Sequence, residues 1–142
     1  MKLSRYIFVF LMGFFIYSLV EVTGRGYTHW TMGLTGGIVL AFLYVISNRP
    51  AMRLVKTCII GSAFITGLEF AVGLFDNIIM GWEVWDYSEL PLNIMGQVCP
   101  LFTLLWAILC IPAYYLCRSI RKCFEQPVCV FLSCHRQATN KL

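Results

Sequence analysis

Charged side chains are scarce in this chain of 142 residues, because only 13% of them are Asp, Glu, Lys or Arg while 59% are hydrophobic. The mean hydropathy is +0.75. In soluble domains about a quarter of all residues are charged. The composition therefore excludes an ordinary water-soluble protein and predicts an integral membrane protein.

Catalytic motifs are also missing. The two histidines, His29 and His135, lie far apart in the chain, no glycine-rich phosphate-binding loop is present, and no Ser, His and acid combination converges. We therefore expect no enzyme activity, no catalytic residue, no cofactor and no metal site. The one enzymatic alternative is a carboxylate pair formed by Glu69 and Glu21.

Long polar stretches between the apolar segments are absent, so the chain has no room for an extramembrane domain. The four apolar segments cover about residues 6–22, 30–47, 54–74 and 94–117. Each is close to the ~20 residues that a helix needs to cross the hydrocarbon. Unbroken apolar runs exclude barrel strands, which alternate apolar and polar residues. We predict an all-α fold, a four-helix membrane bundle at residues 1–117 followed by a basic, cysteine-containing cytoplasmic tail at 118–142.

A cleavable signal peptide is the alternative interpretation of the first segment, since Lys2 and Arg5 precede an apolar core. That core is longer than usual, and residues 18–25 lack a clean cleavage pattern. We therefore interpret the segment as a first membrane span.

Basic residues predict the orientation. Of the eleven lysines and arginines, all but Arg25 fall on one side of a four-span arrangement. The positive-inside rule then predicts that both termini are cytoplasmic. The plasma or cytoplasmic membrane is the expected location, with an endomembrane as the alternative. No folded basic domain exists that would bind nucleic acid, so the expected surroundings are the lipid bilayer and membrane partners.

The cysteines do not predict disulfides. Cys58, Cys99, Cys110 and Cys117 lie in or beside spans, where a thiol behaves as a small apolar group. The other three lie in the tail on the predicted cytoplasmic side, where disulfides are rare. A metal site in the tail is an alternative, but Cys129, Cys134 and His135 lack a fourth ligand.

Glu69 is the most informative residue, because a carboxylate inside a membrane span is costly and usually functional. Other polar residues fall near the same end of the spans and in the connection before the fourth one. These are Glu21, Asp76, Asn77, Asp86, Asn93 and Gln97. We expect a polar site at that end.

Helical spacing predicts that three spans turn polar or small residues inward. The predicted faces are Gly13, Tyr17 and Glu21 on the first span, Glu69, Gly73 and Asp76 on the third, and Asn93, Gly96 and Gln97 on the fourth. Pro100 would lie six residues into the fourth span. It would then kink the helix and free the carbonyl of Gly96, or the kink would be compensated by neighbouring side chains.

The stretch from Gly67 to Trp106 contains an intramembrane Glu followed by a Trp-Asp-Tyr-Ser element. In these features the chain resembles the family called "putative type IV ABC-transporter membrane proteins", to which the animal transmembrane protein 229 family is similar. The resemblance covers most of residues 6–117, and the tail after Arg121 departs from it. The matching residues are Glu69, Gly73, Asn77, Trp85, Asp86, Tyr87, Ser88, Pro91, Asn93, Gly96 and Gln97, with Glu21 as the counterpart of an acid that ends the family's first span.

Two classes of function fit these observations. The resemblance implies a permease-like transport subunit, working as a homo-oligomer or with separate transporter subunits. The polar cluster on one side of the spans predicts that it binds a cation or small polar solute. The binding residues would be Glu69, Glu21, Asn77, Asp86, Tyr87, Asn93 and Gln97, held by a structural motif of Gly73, Trp85, Ser88, Pro91 and Gly96. The alternative is a non-transporting accessory or scaffold protein, in which Glu69 accepts hydrogen bonds from Tyr87, Trp85 or Asn93 and locks the outer connection onto the bundle.

Overall fold

The computed structural model describes the backbone of residues 2–139 and the side chains of residues 3–125. Within these limits the chain is helical, with no strand and a single isolated bridge between Ile94 and Val98. The helices are α1 (Lys2–Arg25), α2 (Trp30–Ser47), α3 (Leu54–Gly73) and α4 (Pro100–Thr139), and a π-helix (Leu74–Ile79) continues α3. The alternative metal ligands Cys129, Cys134 and His135 lie outside the described side chains.

Four stretches of the described chain are long and apolar enough to cross a membrane. They are Leu3–Arg25, Trp30–Ser47, Leu54–Ile79 and Pro100–Glu125. The all-α fold with four membrane-compatible helices is thus confirmed, and the apolar side chains exposed along α1 and α4 suit contact with lipid.

Glycines allow α1 and α2 to pack backbone to backbone. A Cβ added to Gly36 would lie 2.3 Å from the Cβ of Tyr17 and 2.9 Å from the carbonyl oxygen of Gly13. Small residues at helix interfaces are the usual device for close packing in membranes. Gly13, predicted on the inward face of the first span, is buried there.

The main apolar core lies between α2, α3 and α4, with Val9 of α1 added at one side. Its buried members are Val9, Leu40, Leu43, Tyr44, Ile46, Ile65, Cys110, Cys117 and Ile120. The rings of Phe42 and Phe64 stack with centroids 3.8 Å apart beside it. The three buried carboxylates, Glu21, Glu69 and Asp76, lie beyond one end of this core.

The π-helix lengthens the third span beyond the predicted end at residue 74. Its wide turn is shown by the hydrogen bond from the Met80 N–H to the Phe75 carbonyl, which are five residues apart. Glu69, Gly73 and Asp76 are all buried, so the predicted inward face of this span is confirmed.

Pro100 begins α4, so the predicted start of the fourth span at residue 94 and the predicted kink at Pro100 are wrong. Proline suits the first helical position, where its missing N–H needs no partner. The preceding residues 94–99 form turns, and Asn93, Gly96 and Gln97 therefore share no helix face. The carbonyl of Gly96 is not free either, because it accepts a 2.8 Å hydrogen bond from the Tyr87 N–H.

Residues 80–99 form a long connection that folds back over one end of the bundle, which we call the loop end. Val84 and Trp85 are buried there against Met32 of α2. Gly73 makes room for this contact, since a Cβ at that position would lie 2.5 Å from Gln97 Oε1 and 2.9 Å from Trp85 Cζ2. The connection is therefore a packed part of the bundle.

We predict that Gly36→Ala lowers the free energy of unfolding by about 1–3 kcal/mol, because the added methyl group overpacks the α1–α2 contact. Gly67→Ala is the matched control, since Gly67 is helical and exposed and a Cβ there meets nothing within 4 Å. That control should be neutral or raise stability by up to about 1 kcal/mol. Thermal unfolding followed by tryptophan fluorescence measures both, and equal effects would contradict the packing described.

Candidate functional site

Glu69 lies on the last turns of α3 with only 4% of its surface exposed. Its two oxygens accept hydrogen bonds from different parts of the chain. Oε1 accepts from the Tyr87 hydroxyl of the connection 80–99 at 3.1 Å, and Oε2 accepts from Trp106 Nε1 of α4 at 2.8 Å. A carboxylate has about four lone-pair positions, so two hydrogen bonds leave capacity for a further donor or cation. Both present donors are neutral.

Tyr87 is held in place by stacking on Phe102, with ring centroids 4.3 Å apart and planes 13° from parallel. The pKa of the Tyr87 hydroxyl is raised, mainly by burial and further by the nearby charge of Glu69 and the hydrogen bond to it. The hydroxyl therefore keeps its proton and remains a donor to Glu69.

A cavity of about 580 Å³ lies between α1 and α4, with α2 and α3 forming its floor. Glu69, Glu21 and Arg25 line it at the loop end, together with Tyr17, Tyr87, Trp85 and Trp106. Ile16 of α1 and Leu105 and Leu109 of α4 line the same cavity and remain partly exposed, so it opens sideways between these two helices. This size is within the range of small-molecule sites.

Glu21 is neutralised within α1. Arg25 Nη1 donates to Glu21 Oε1 at 2.9 Å, and the Thr28 hydroxyl donates to Glu21 Oε2 at 2.6 Å. The other terminal nitrogen of Arg25 donates to the carbonyl of Val84 and to the Tyr27 hydroxyl. The ion pair thus also ties the end of α1 to the connection 80–99.

Asn77 joins the π-helix to the connection 80–99 through all of its polar groups. Its Nδ2 donates to the Trp85 carbonyl at 2.9 Å and to Gln97 Oε1 at 2.7 Å, and its Oδ1 accepts from the Val84 N–H at 2.7 Å. Trp85 Nε1 in turn donates to the Gln97 carbonyl at 2.9 Å. Asn77, Trp85 and Gln97 therefore hold the connection in one conformation.

Asp86 and Asn93 shape the exposed rim of the connection and do not line the cavity. Asp86 accepts from the N–H and the hydroxyl of Ser88, both at 2.8 Å, and these bonds lower the pKa of Asp86. Asn93 donates to the Ser88 and Leu90 carbonyls and accepts from the Gly96 N–H. The hydrogen bonds of ionised Asp86 therefore stabilise the connection at any pH above the ordinary carboxyl pKa. This stabilisation is lost as the pH falls through the lowered pKa of Asp86.

Asp76 is the most buried carboxylate, with 0% exposure. Its Oδ2 accepts a 2.5 Å hydrogen bond from the Thr31 hydroxyl, and Thr31 Oγ1 lies 2.7 Å from His29 Nδ1. Because the hydroxyl proton is given to Asp76, His29 Nδ1 carries the proton in this second bond. Among the described residues Asp76 Oδ1 has no hydrogen-bond partner.

The predicted site residues therefore separate into groups. Glu69, Glu21 and Tyr87 meet at the cavity, Asn77 and Gln97 hold the connection, and Asp86 and Asn93 lie on its rim. Three contacting groups, Trp106, Tyr17 and Thr31, were not among the predicted site residues, although Tyr17 was predicted on the inward face of the first span. The contact of Trp106 could have been predicted in part. A tryptophan inside a span, rather than at the membrane interface, needs a hydrogen-bond acceptor for its indole N–H.

Metal-binding groups do not assemble in the described part of the chain: no three His, Cys, Asp or Glu side chains are arranged to hold an ion. The five cysteines in residues 3–125 are free thiols, and Cys110 and Cys117 are buried in the apolar core. The arrangement can offer a carboxylate, aromatic faces and an apolar wall to a bound molecule.

The family model described as "Putative ABC-transporter type IV" matches residues 25–131. This is more than half of the chain, and the protein belongs to that family, as the resemblance predicted. The match begins at Arg25, so Glu21 lies just outside it, and it extends beyond Arg121. The comparisons with curated proteins and with solved structures produce no match. The similarity to the transmembrane protein 229 family stays a prediction.

We predict that Thr31→Val lowers the free energy of unfolding by about 1–3 kcal/mol, because it leaves the fully buried Asp76 without its hydrogen-bond donor. Thr31→Ser is the matched control, since it keeps the hydroxyl and removes only a methyl group. Thermal unfolding of both variants tests this. A Thr31→Val protein no less stable than Thr31→Ser would contradict the role given to this bond.

Proposed function

We propose that this protein is a membrane-embedded, permease-like subunit of a transport system and that Glu69 binds a cation or polar solute at the loop end of the bundle. The observation that carries the proposal is a buried carboxylate on the wall of a cavity. Membership of the family agrees with a transport-related role. Separate transporter subunits or further copies of the chain would complete the pathway.

The charges around the cavity support this assignment. In residues 3–125 the ion pairs are Arg25 with Glu21 and Arg121 with Glu125, so neither arginine neutralises Glu69. An ionised carboxylate at membrane depth is costly without a partner of opposite charge. A bound cation would supply that partner, whereas Glu21 already has one.

A scaffold role is the second candidate, because both oxygens of Glu69 already accept hydrogen bonds from Tyr87 and Trp106. In this case Glu69 is a latch that fixes the connection 80–99 to α3 and α4. Tyr87 was among the predicted donors, whereas Trp85 donates to Gln97 and Asn93 donates to backbone carbonyls. A latch requires no solute.

Thermal stability in the presence of ligands separates the two candidates. We expect one member of a panel of inorganic and organic cations to stabilise the wild type by about 2.7 kcal/mol at a hundredfold excess over its Kd. Glu69→Gln should lose this effect, because it removes the charge at nearly constant shape. The measurement is thermal unfolding of the purified protein in nanodiscs.

Glu89→Gln is the control for this experiment, since it removes an exposed charge from the same connection. It should keep the full ligand effect. If Glu69→Gln is less stable by about 1–3 kcal/mol while no ligand affects either protein, the latch is the correct assignment and the transport proposal fails.

The proposed orientation has both termini in the cytoplasm and the loop end on the opposite side. A membrane-impermeant maleimide should therefore label Glu89→Cys in intact right-side-out vesicles, because residue 89 is exposed on the connection. The wild type should be labelled only after permeabilisation, through the exposed Cys123. Equal labelling of the wild type in intact vesicles would contradict this orientation.

A further inference from the structure

The cavity between α1 and α4 is long and has its polar groups at one end. On α4 its lining runs from Phe102 to Leu116, which at 1.5 Å per residue is about 21 Å. Away from the loop end the wall consists of aliphatic side chains such as Val39, Leu43, Ile65 and Leu116. An occupant confined to the polar end would leave most of the cavity empty.

The polar end combines one uncompensated carboxylate with aromatic rings. Tyr17, Tyr87, Trp85 and Trp106 line the cavity together with Glu69. The Tyr17 and Trp106 rings bridge α1 and α4 with centroids 6.2 Å apart. Aromatic faces attract ammonium groups, and desolvation strengthens the attraction. The charge and the rings together match a cation that carries organic substituents.

We propose that this cavity binds an amphipathic organic cation, with its ammonium group beside Glu69 and its alkyl chain along the apolar wall between α1 and α4. The inference rests on the proposed function, because it takes Glu69 as the binding carboxylate, and it names the ligand class. The sideways opening lets such a molecule enter from the bilayer, where its chain already lies.

A small polar solute fits the same cavity less well. It would contact the loop end only, and the aliphatic wall would contribute nothing to its affinity, because only apolar surface gains from burial against that wall. An alkyl chain adds this burial, whereas the carboxylate at the end selects for charge. The two parts of the ligand are therefore recognised by separate residues and can be tested separately.

The test is equilibrium binding of radiolabelled decyltrimethylammonium to the full-length protein in nanodiscs of zwitterionic lipid, with protein-free nanodiscs subtracted. Tetramethylammonium supplies the head alone, and decanol supplies the chain with an uncharged head. We expect saturable binding of decyltrimethylammonium, about tenfold or more tighter than that of either partial probe. Glu69→Gln should weaken it by a similar factor, and Glu89→Gln should not.

Leu109→Trp provides a second variant that leaves Glu69 untouched. Leu109 lines the apolar part and is 41% exposed, so a larger side chain narrows the cavity with little effect on the core. It should weaken binding of decyltrimethylammonium and leave that of tetramethylammonium unchanged. If it changes the oligomeric state instead, a second copy covers the cavity and the inference is overturned.

The remaining outcomes distinguish the two proposals. If tetramethylammonium binds the wild type as tightly as the decyl compound and Glu69→Gln abolishes both, the proposed function stands and the inference about the chain is overturned. If decanol binds equally well and Glu69→Gln has no effect, the cavity holds lipid chains only. If none of these probes binds above protein-free nanodiscs and no cation stabilises the protein, both proposals fail.

Discussion

Polar groups at membrane depth have no water to bind, so their hydrogen-bond partners must come from the protein. The loop end of the bundle follows from this constraint. Asn77 is satisfied only because Val84, Trp85 and Gln97 fold back onto it, and Glu69 only because Tyr87 and Trp106 reach it from two elements. The hydrogen bonds of Asn77 and Glu69 therefore hold the connection 80–99 against the bundle.

The three carboxylates of this region are compensated differently. Glu21 has a cation four residues away on its own helix, and Asp76 has one neutral donor in a fully buried position. Glu69 has two neutral donors and a face on the cavity. Neither Glu69 nor Asp76 has a basic partner in the described region, but only Glu69 lines the cavity, so it is the carboxylate that a bound cation could contact.

The cavity depends on how the helices pair. α1 packs against α2 through Gly13 and Gly36, whereas α1 and α4 touch through the Tyr17 and Trp106 rings at one level and the Phe8 and Phe124 rings at another. Close packing on one side of α1 thus leaves a gap on the other. In a bundle of four short spans, such a gap between two helices is where a site with both an apolar wall and a polar end can form.

The sequence alone determined the membrane class, the number of spans and the inward face of the third span, because composition and 3.6-residue periodicity are local properties that lipid enforces strongly. The family was predicted separately, from the resemblance of the motif residues between Gly67 and Trp106. The sequence-based prediction placed the start of α4 at residue 94 instead of Pro100. An apolar stretch predicts a helix even where its first residues form turns. Only the tertiary structure decided that Trp106 binds Glu69 and that Asp86 stays on the rim. These choices depend on distances between residues up to 37 positions apart in the chain, which no local pattern encodes.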